Sequence, residues 1–163
     1  MNEEKISYLK EKAKELRKAA VTMIYEAQSG HPGGSLSVCE ILTLLYQERM
    51  NVAPEKQDDP NRDRLVLSKG HAAPMLYVNL IEKGFLPKEE LMTLRCINSE
   101  LQGHPSMKML PGIEMSTGSL GQGISCAAGM ALGAKLSGKA YRTYAICGDG
   151  EIEEGQIWEA AMF

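Results

Sequence analysis

Each of the three histidines in this 163-residue chain follows a glycine. The pairs are Gly30-His31, Gly70-His71 and Gly103-His104. A glycine lets the backbone bend and approach a ligand closely, and an imidazole donates, accepts or exchanges a proton near neutral pH. Any single histidine of this kind is better explained as a structural residue with satisfied hydrogen bonds. The repeated pairing predicts that all three contribute to one ligand site.

A second motif, Gly148-Asp149-Gly150, directly follows the apolar segment 141–147. Ligands of open α/β sheets bind beyond the carboxyl ends of the strands, so we expect Asp149 near a ligand. A carboxylate in that position suits Mg²⁺, which proteins commonly hold with one or two carboxylates and with phosphate oxygens. Asp-Gly is also an ordinary turn sequence, so this motif carries weight only together with others.

The segment Gly118-Ser119-Leu120-Gly121-Gln122-Gly123 precedes a run of small residues that is expected to be helical. Its backbone amides and the start of that helix could hold an anion such as a diphosphate. The segment is not a dinucleotide-binding motif, because its glycines are in a different order and no strand precedes it.

Four glutamates follow Asp149, at Glu151, Glu153, Glu154 and Glu159. Two interpretations remain open for them. They form an exposed acidic start of a helix, which the helix dipole favours, or some of them are buried together and share protons.

The elements that must position these motifs alternate between helix and strand. Apolar residues at steps of three and four from Ile6 to Ala27 predict one long amphipathic helix, ended by the segment 30–34. Strands are expected at 65–67 and 141–147, and further helices at 72–84, 87–94, 121–138 and from Glu154 onward. Ser37 and Glu40 have the spacing of a capping box at another helix start. A long loop, 96–119, precedes the run of small residues.

This order predicts an α/β fold with a mainly parallel sheet flanked by helices. Two strands are too few for a sheet covered on both faces. Residues 1–163 are therefore expected to form a single, partial domain, incomplete at the C-terminus.

The composition narrows the classes of function. Hydrophobic residues make up 44% and charged residues 24% of the chain, a balance that excludes a disordered chain. The net charge of -3 does not favour nucleic acid or an anionic membrane as a partner. No apolar run reaches the roughly 20 residues of a membrane span. The N-terminus has no signal-peptide pattern, so we expect a cytoplasmic protein. The four cysteines form no C-x-x-C pair and are expected to be free thiols.

Together the motifs resemble the N-terminal, diphosphate-binding half of transketolase, the thiamine-diphosphate enzyme. The matching stretches occur in the family's order, at 30–34, 67–73, 103–105, 116–123 and 148–150. Five ordered stretches are far more specific than any one of them. The sequence Ser35-Leu36-Ser37 is similar to the split bacterial and archaeal form, in which the N- and C-terminal halves are separate subunits.

The resemblance implies a thiamine-diphosphate-binding fold and a role for each motif. Asp149 would bind the Mg²⁺ or Ca²⁺ that holds the diphosphate, and His71 would lie near that group. Gly150 and the turn Gly118-Ser119-Leu120 would line the cofactor. His31 and His104 would face the reacting carbons and the sugar hydroxyls.

The resemblance also implies partners and a reaction. Glu154 and Glu159 match positions at a dimer interface that links paired active sites, so we expect a homo-oligomer together with a C-terminal transketolase subunit. The reaction would be two-carbon ketol transfer between ketose and aldose phosphates, in the pentose phosphate pathway. The family's asparagine ligand to the metal and its ring-activating glutamate do not lie in this sequence. The chain alone is therefore expected to be inactive.

Two alternatives remain. One is a deoxyxylulose-phosphate-synthase-like enzyme, which would share the cofactor and the Gly-Asp-Gly motif, although the stretch 68–74 argues against it. The other is a non-catalytic remnant or assembly subunit, which the retained histidine pairs and Asp149 oppose.

Overall fold

The computed structural model describes residues 2–163 and has the predicted alternation of helices and strands. The α-helices are α1 (Glu3–Ala27), α2 (Pro32–Ser37), α3 (Cys39–Leu44), α4 (Ala73–Lys83), α5 (Gly123–Leu136) and α6 (Gly155–Met162). The strands are β1 (Arg64–Leu67) and β2 (Thr143–Ile146), which pair in parallel with Leu65 opposite Tyr144 and Leu67 opposite Ile146. The predicted α/β fold with a parallel sheet is confirmed. No helix among the described residues is both long and apolar enough to cross a membrane.

Helix α1 begins at a cap and ends at Ala27, the last residue of its predicted apolar pattern. The side chain of Asn2 accepts a hydrogen bond from the backbone N–H of Lys5 at 3.0 Å, as an N-cap residue does. The helix ends at Ala27, because Gln28 adopts a left-handed conformation with φ 47°. The segment 30–34 therefore does not itself end α1. It begins α2 instead, since a proline such as Pro32 fits the first turn of a helix.

The capping box predicted at Ser37 and Glu40 is wrong. Ser37 is the last residue of α2, where its hydroxyl donates to the carbonyl of Gly34 at 3.0 Å. Helix α3 begins at Cys39 without a side-chain cap. The spacing of the two residues fits the motif, but the preceding turn is already helical and leaves Ser37 within hydrogen-bond reach of the carbonyl of Gly34.

The core lies between α1, α3, α4 and one face of the sheet. Helix α4 is buried along most of its length and ends at Gly84, which has φ 89°, so the predicted glycine stop is confirmed. The segment 88–93 is a 3₁₀ helix rather than an α-helix. From 96 to 119 the chain has no α-helix or strand, as predicted, and three buried side chains of this loop pack into the core: Leu101, Leu110 and Ile113.

Candidate functional site

A cavity of about 420 Å³ lies beyond the carboxyl ends of β1 and β2. Residues that the sequence analysis assigned to one site line it: His71, Leu120, Asp149 and Gly150. Gly34 of α2 and Lys69, which follows β1, line it as well. The position agrees with the rule that α/β sheets bind ligands at this edge.

The segment after β1 supplies one wall of the cavity and is fixed by close backbone packing. A Cβ atom on Gly70 would lie 2.7 Å from the backbone of Thr117 and Gly118, so only glycine fits there. The hydroxyl of Thr117 donates to the carbonyl of Leu67 at 2.7 Å. These contacts hold the long loop against the end of β1.

Lys69 places an ammonium group at the cavity. Its Nζ donates to the hydroxyl of Ser37 at 2.8 Å. Burial lowers the pKa of Lys69, and the nearby carboxylates of Asp149 and Glu151 oppose that shift. Lys69 is not among the predicted site residues. Its position between the end of β1 and Gly70-His71 is the sequence feature that could have indicated it.

Of the three histidines only His71 lines the cavity, and His31 and His104 lie near it. The rings of His31 and His71 meet edge to face with their centres 5.3 Å apart. A Cβ on Gly118 would come within 3.0 Å of the His104 ring, so that ring packs directly against the 118–123 turn. Burial is the main cause that lowers the pKa of His71 and of His104, and neighbouring positive charges lower both further. Both rings are therefore neutral at pH 7, as proton donors and acceptors to a ligand require.

The turn 118–123 lies between two cavities. Leu120 lines the cavity at the strand ends, whereas Gly118 and Ser119 line a neighbouring one of about 200 Å³. One amide of the predicted anion-binding turn already has a partner, because the N–H of Gly121 donates to the Glu151 carboxylate at 2.9 Å. This amide of the turn therefore binds a carboxylate of the protein itself.

The downstream glutamates divide into one buried and three exposed residues. Glu151 is 2% exposed, whereas Glu153, Glu154 and Glu159 are exposed. Only Glu151 is buried within this chain, and the interpretation that some of the four are buried together and share protons stays a prediction. Each exposed side chain lies outside the core, and only Glu151 turns inward, where Ser68, Gly121 and Gly148 donate to it.

Asp149 is exposed and lines the cavity. Within residues 2–163 no group of three histidine, cysteine, aspartate or glutamate side chains could hold a metal ion. Asp149 can thus supply one carboxylate, the number that Mg²⁺ often takes when phosphate oxygens complete its shell.

A parallel α/β domain with this cavity at its strand ends belongs to the class of phosphate- and cofactor-binding folds. The comparisons with known proteins identify the family. Residues 9–163 match the transketolase thiamine diphosphate binding domain, and the chain belongs to this family. This confirms the resemblance on which the residue roles were predicted.

Curated relatives include both split and full-length enzymes. The chain is 48% identical to a 6-deoxy-6-sulfo-D-fructose transketolase subunit from Clostridium sp. (strain MSTE9) over 163 residues, 100% of this chain and 59% of that protein. It is 49% identical to an apulose-4-phosphate transketolase subunit from Phocaeicola vulgatus, over 90% of this chain and 52% of the relative. Human transketolase is 44% identical over 99% of this chain and 26% of its own length.

Among solved structures, transketolase from Campylobacter jejuni matches with a TM-score of 0.89 and 38% identity, over 98% of this chain and 26% of that one. The chain thus spans about half the length of the subunit relatives and about a quarter of the full-length enzymes.

Proposed function

We propose that this chain forms the diphosphate side of a thiamine-diphosphate-dependent transketolase and works together with a C-terminal transketolase half. One observation carries the proposal. His71, Leu120, Asp149 and Gly150 come from three separate segments of the chain and meet around a single cavity, and Lys69 adds a positive charge. That convergence is what a bound diphosphate and its metal would need.

The donor set fits such a ligand. The ammonium of Lys69 and the imidazole of His71 complement phosphate oxygens, and the carboxylate of Asp149 complements a divalent cation. Gly150 leaves room beside Asp149, since no described residue other than its two chain neighbours has an atom within 4 Å of the position of its missing Cβ. We propose Mg²⁺ or Ca²⁺ as the cation that Asp149 would hold.

In the reaction, this chain would bind, orient and exchange protons. When bound, thiamine diphosphate supplies the electron sink for the two-carbon unit. His31 and His104 would donate and accept protons at the sugar hydroxyls, and the lowered pKa of His104 keeps that ring neutral and able to do both. Gly118, Ser119, Leu120 and Gly150 would hold the cofactor in place.

A partner is proposed from two observations. Two of the relatives are named as subunits, which fits a split enzyme. Large apolar side chains of α5, α6 and the end of the chain are exposed: Leu136, Trp158, Met162 and Phe163. Exposed apolar patches of this kind commonly mark protein interfaces. We propose a C-terminal subunit and a second copy of this chain as the occupants, with Glu154 and Glu159 at the interface, in the cytoplasm.

The substrates are proposed to be ketose and aldose phosphates of the pentose phosphate pathway. The test is a coupled ketol-transfer assay on the chain alone and after coexpression with a C-terminal transketolase half. We expect turnover only in the complex, and only with thiamine diphosphate and Mg²⁺ present. A complex that binds the cofactor tightly but transfers no ketol unit from any sugar phosphate would overturn the proposed reaction.

A further inference from the structure

We propose that Glu151 is a positioning residue that sets the distances between the walls of the cofactor cavity. This role rests on the proposed function, because it concerns the same cavity. Glu151 directly follows the 148–150 turn and is almost fully buried, and both of its oxygens are used within the protein. It is thus the one acidic group of this region that is not free to bind a ligand through an unpaired oxygen.

The Glu151 carboxylate joins three separate segments of the chain. Its Oε1 accepts from the hydroxyl of Ser68 at 2.5 Å and from the N–H of Gly121 at 2.9 Å. Its Oε2 accepts from the N–H of Gly148 at 2.8 Å. A buried carboxylate is stable only when hydrogen bonds replace its lost hydration, and these three donors do so.

The three donors lie in or directly beside the walls of the cavity. Gly148 lines the cavity itself, as Glu151 does, while Ser68 stands next to the lining residue Lys69 and Gly121 next to the lining residue Leu120. One carboxylate therefore fixes the spacing between the ammonium group, the apolar contact and the metal-binding carboxylate. It adds to the contacts already present between these segments, such as the hydrogen bonds from Ser68 N–H to the carbonyl of Ile146 and from the Thr117 hydroxyl to the carbonyl of Leu67.

Only a carboxylate satisfies this geometry. Two of the three donors are backbone N–H groups, which cannot accept a hydrogen bond. Glutamine has the same size but replaces one oxygen with an NH₂ group. That group would face a backbone N–H and leave a buried donor unpaired, which is costly. The site would then relax by moving one of the three segments.

The experiment compares Glu151→Gln with Glu153→Gln in the complex of the chain with its C-terminal half. Glu153 lies on the same 3₁₀ turn and is exposed, so its variant matches the charge change without touching the cavity. Affinity for thiamine diphosphate with Mg²⁺ is measured by calorimetry. Loss of a residue that orients ligand-binding groups typically weakens binding about 10- to 100-fold. We expect that loss for Glu151→Gln and none for Glu153→Gln.

Two further readouts separate positioning from general destabilisation. In the cofactor-free complex, hydrogen exchange should quicken at Gly121 and Gly148 in Glu151→Gln while the core of α4 stays protected. At saturating cofactor, kcat should recover, whereas the KM for thiamine diphosphate should stay raised. Ser68→Ala removes only one of the three donors and should weaken cofactor binding less than Glu151→Gln, which gives a second test should that variant fail to fold.

The outcomes are distinguishable. A wild-type complex that does not bind thiamine diphosphate would overturn the proposed function and this role with it. Normal wild-type binding with unchanged affinity in Glu151→Gln, or in Ser68→Ala if the first variant does not fold, would overturn the role of Glu151 alone. Equal losses in the Glu151 and Glu153 variants would reduce the effect to a change in charge and would also overturn it.

Discussion

Gly70, after β1, and Gly123, at the start of α5, have no room for a side chain, whereas the glycines in the middle of α5 have ample room. A Cβ on Gly70 or on Gly123 would lie 2.7 Å from neighbouring atoms of another segment. At Gly129 and Gly133, within residues 2–163, nothing beyond the chain neighbours and the backbone of α5 itself lies within 4 Å of that position. The same residue type is thus a packing requirement in one region and unconstrained in the other.

Polar and apolar groups show the same contrast. At the strand ends the buried carboxylate of Glu151 has three donors, and Lys69 has a hydroxyl partner. On the outward side of α5 and α6, Leu136 is 79% exposed and Met162 is 81% exposed. The first region is therefore preformed within this chain. The exposed apolar side chains of the second region form the surface at which a partner is proposed.

The largest expected effect concerns the histidines of the first region. His31→Ala and His104→Ala should each lower the rate of ketol transfer in the assembled enzyme by about 10²–10⁴-fold, the usual contribution of a group that exchanges protons. Their melting temperatures should change little. Glu100→Ala, at an exposed position of the same loop as His104, serves as the control and should keep full activity. Full activity in a histidine variant would show that this histidine does not exchange protons in the reaction. A large fall in its melting temperature would make that histidine structural.

The next effect concerns the metal. Asp149→Ala should weaken the binding of Mg²⁺ and thiamine diphosphate together, by at least about tenfold, because the cation joins the carboxylate to the phosphates. Calorimetric titration of each component in the presence of the other measures the effect. Glu153→Gln should bind as the wild type does. An unchanged affinity in Asp149→Ala would remove Asp149 from the metal site.

A matched pair of substitutions in α5 tests the contrast between the glycines directly. Gly123→Ala forces a methyl group against Ser68 and should lower the free energy of unfolding by about 1–3 kcal/mol, as overpacking does. Gly129→Ala should raise it by about 0.5–1 kcal/mol, since alanine favours the helix and meets nothing. Urea denaturation of both variants gives the two values. If both substitutions change the free energy of unfolding in the same direction, the contrast between these glycines is wrong.

The smallest effect is a pH dependence of the free energy of unfolding that arises from His71 and His104. Folding lowers the pKa of His71 and His104 below their ordinary value of 6.5, mainly through burial. As the pH falls below that value, the unfolded chain binds protons that the folded chain does not, so the free energy of unfolding decreases. This contribution to the free energy of unfolding is complete above pH 6.5. It is lost as the pH falls from 6.5 through the lowered pKa values of the folded histidines. Urea midpoints should show this slope in the wild type and a flatter one in His71→Gln/His104→Gln; identical slopes would contradict it.

Much of the fold could be predicted because it depends on local patterns. The period of α1, the apolar triplet of β1 and the stop at Gly84 each reflect a few neighbouring residues, and the structure confirms them. The capping box at Ser37 failed for the same reason. Its spacing is a local signal, and that spacing could not show that the preceding residues 32–36 are already helical.

The sequence by itself determined which chemistry is available: three Gly-His pairs, the Asp149 motif and the 118–123 turn, with an α/β order that directs them to one edge of a sheet. Only the tertiary structure decided which of four similar glutamates enters the interior. Glu151 is buried because Ser68, 83 positions away, and Gly121, 30 positions away, present donors to it. Glu154 and Glu159 meet no such donors within the described chain and are exposed on its surface. A buried charge requires partners from distant segments, and the distances between distant segments are fixed only when the chain is folded.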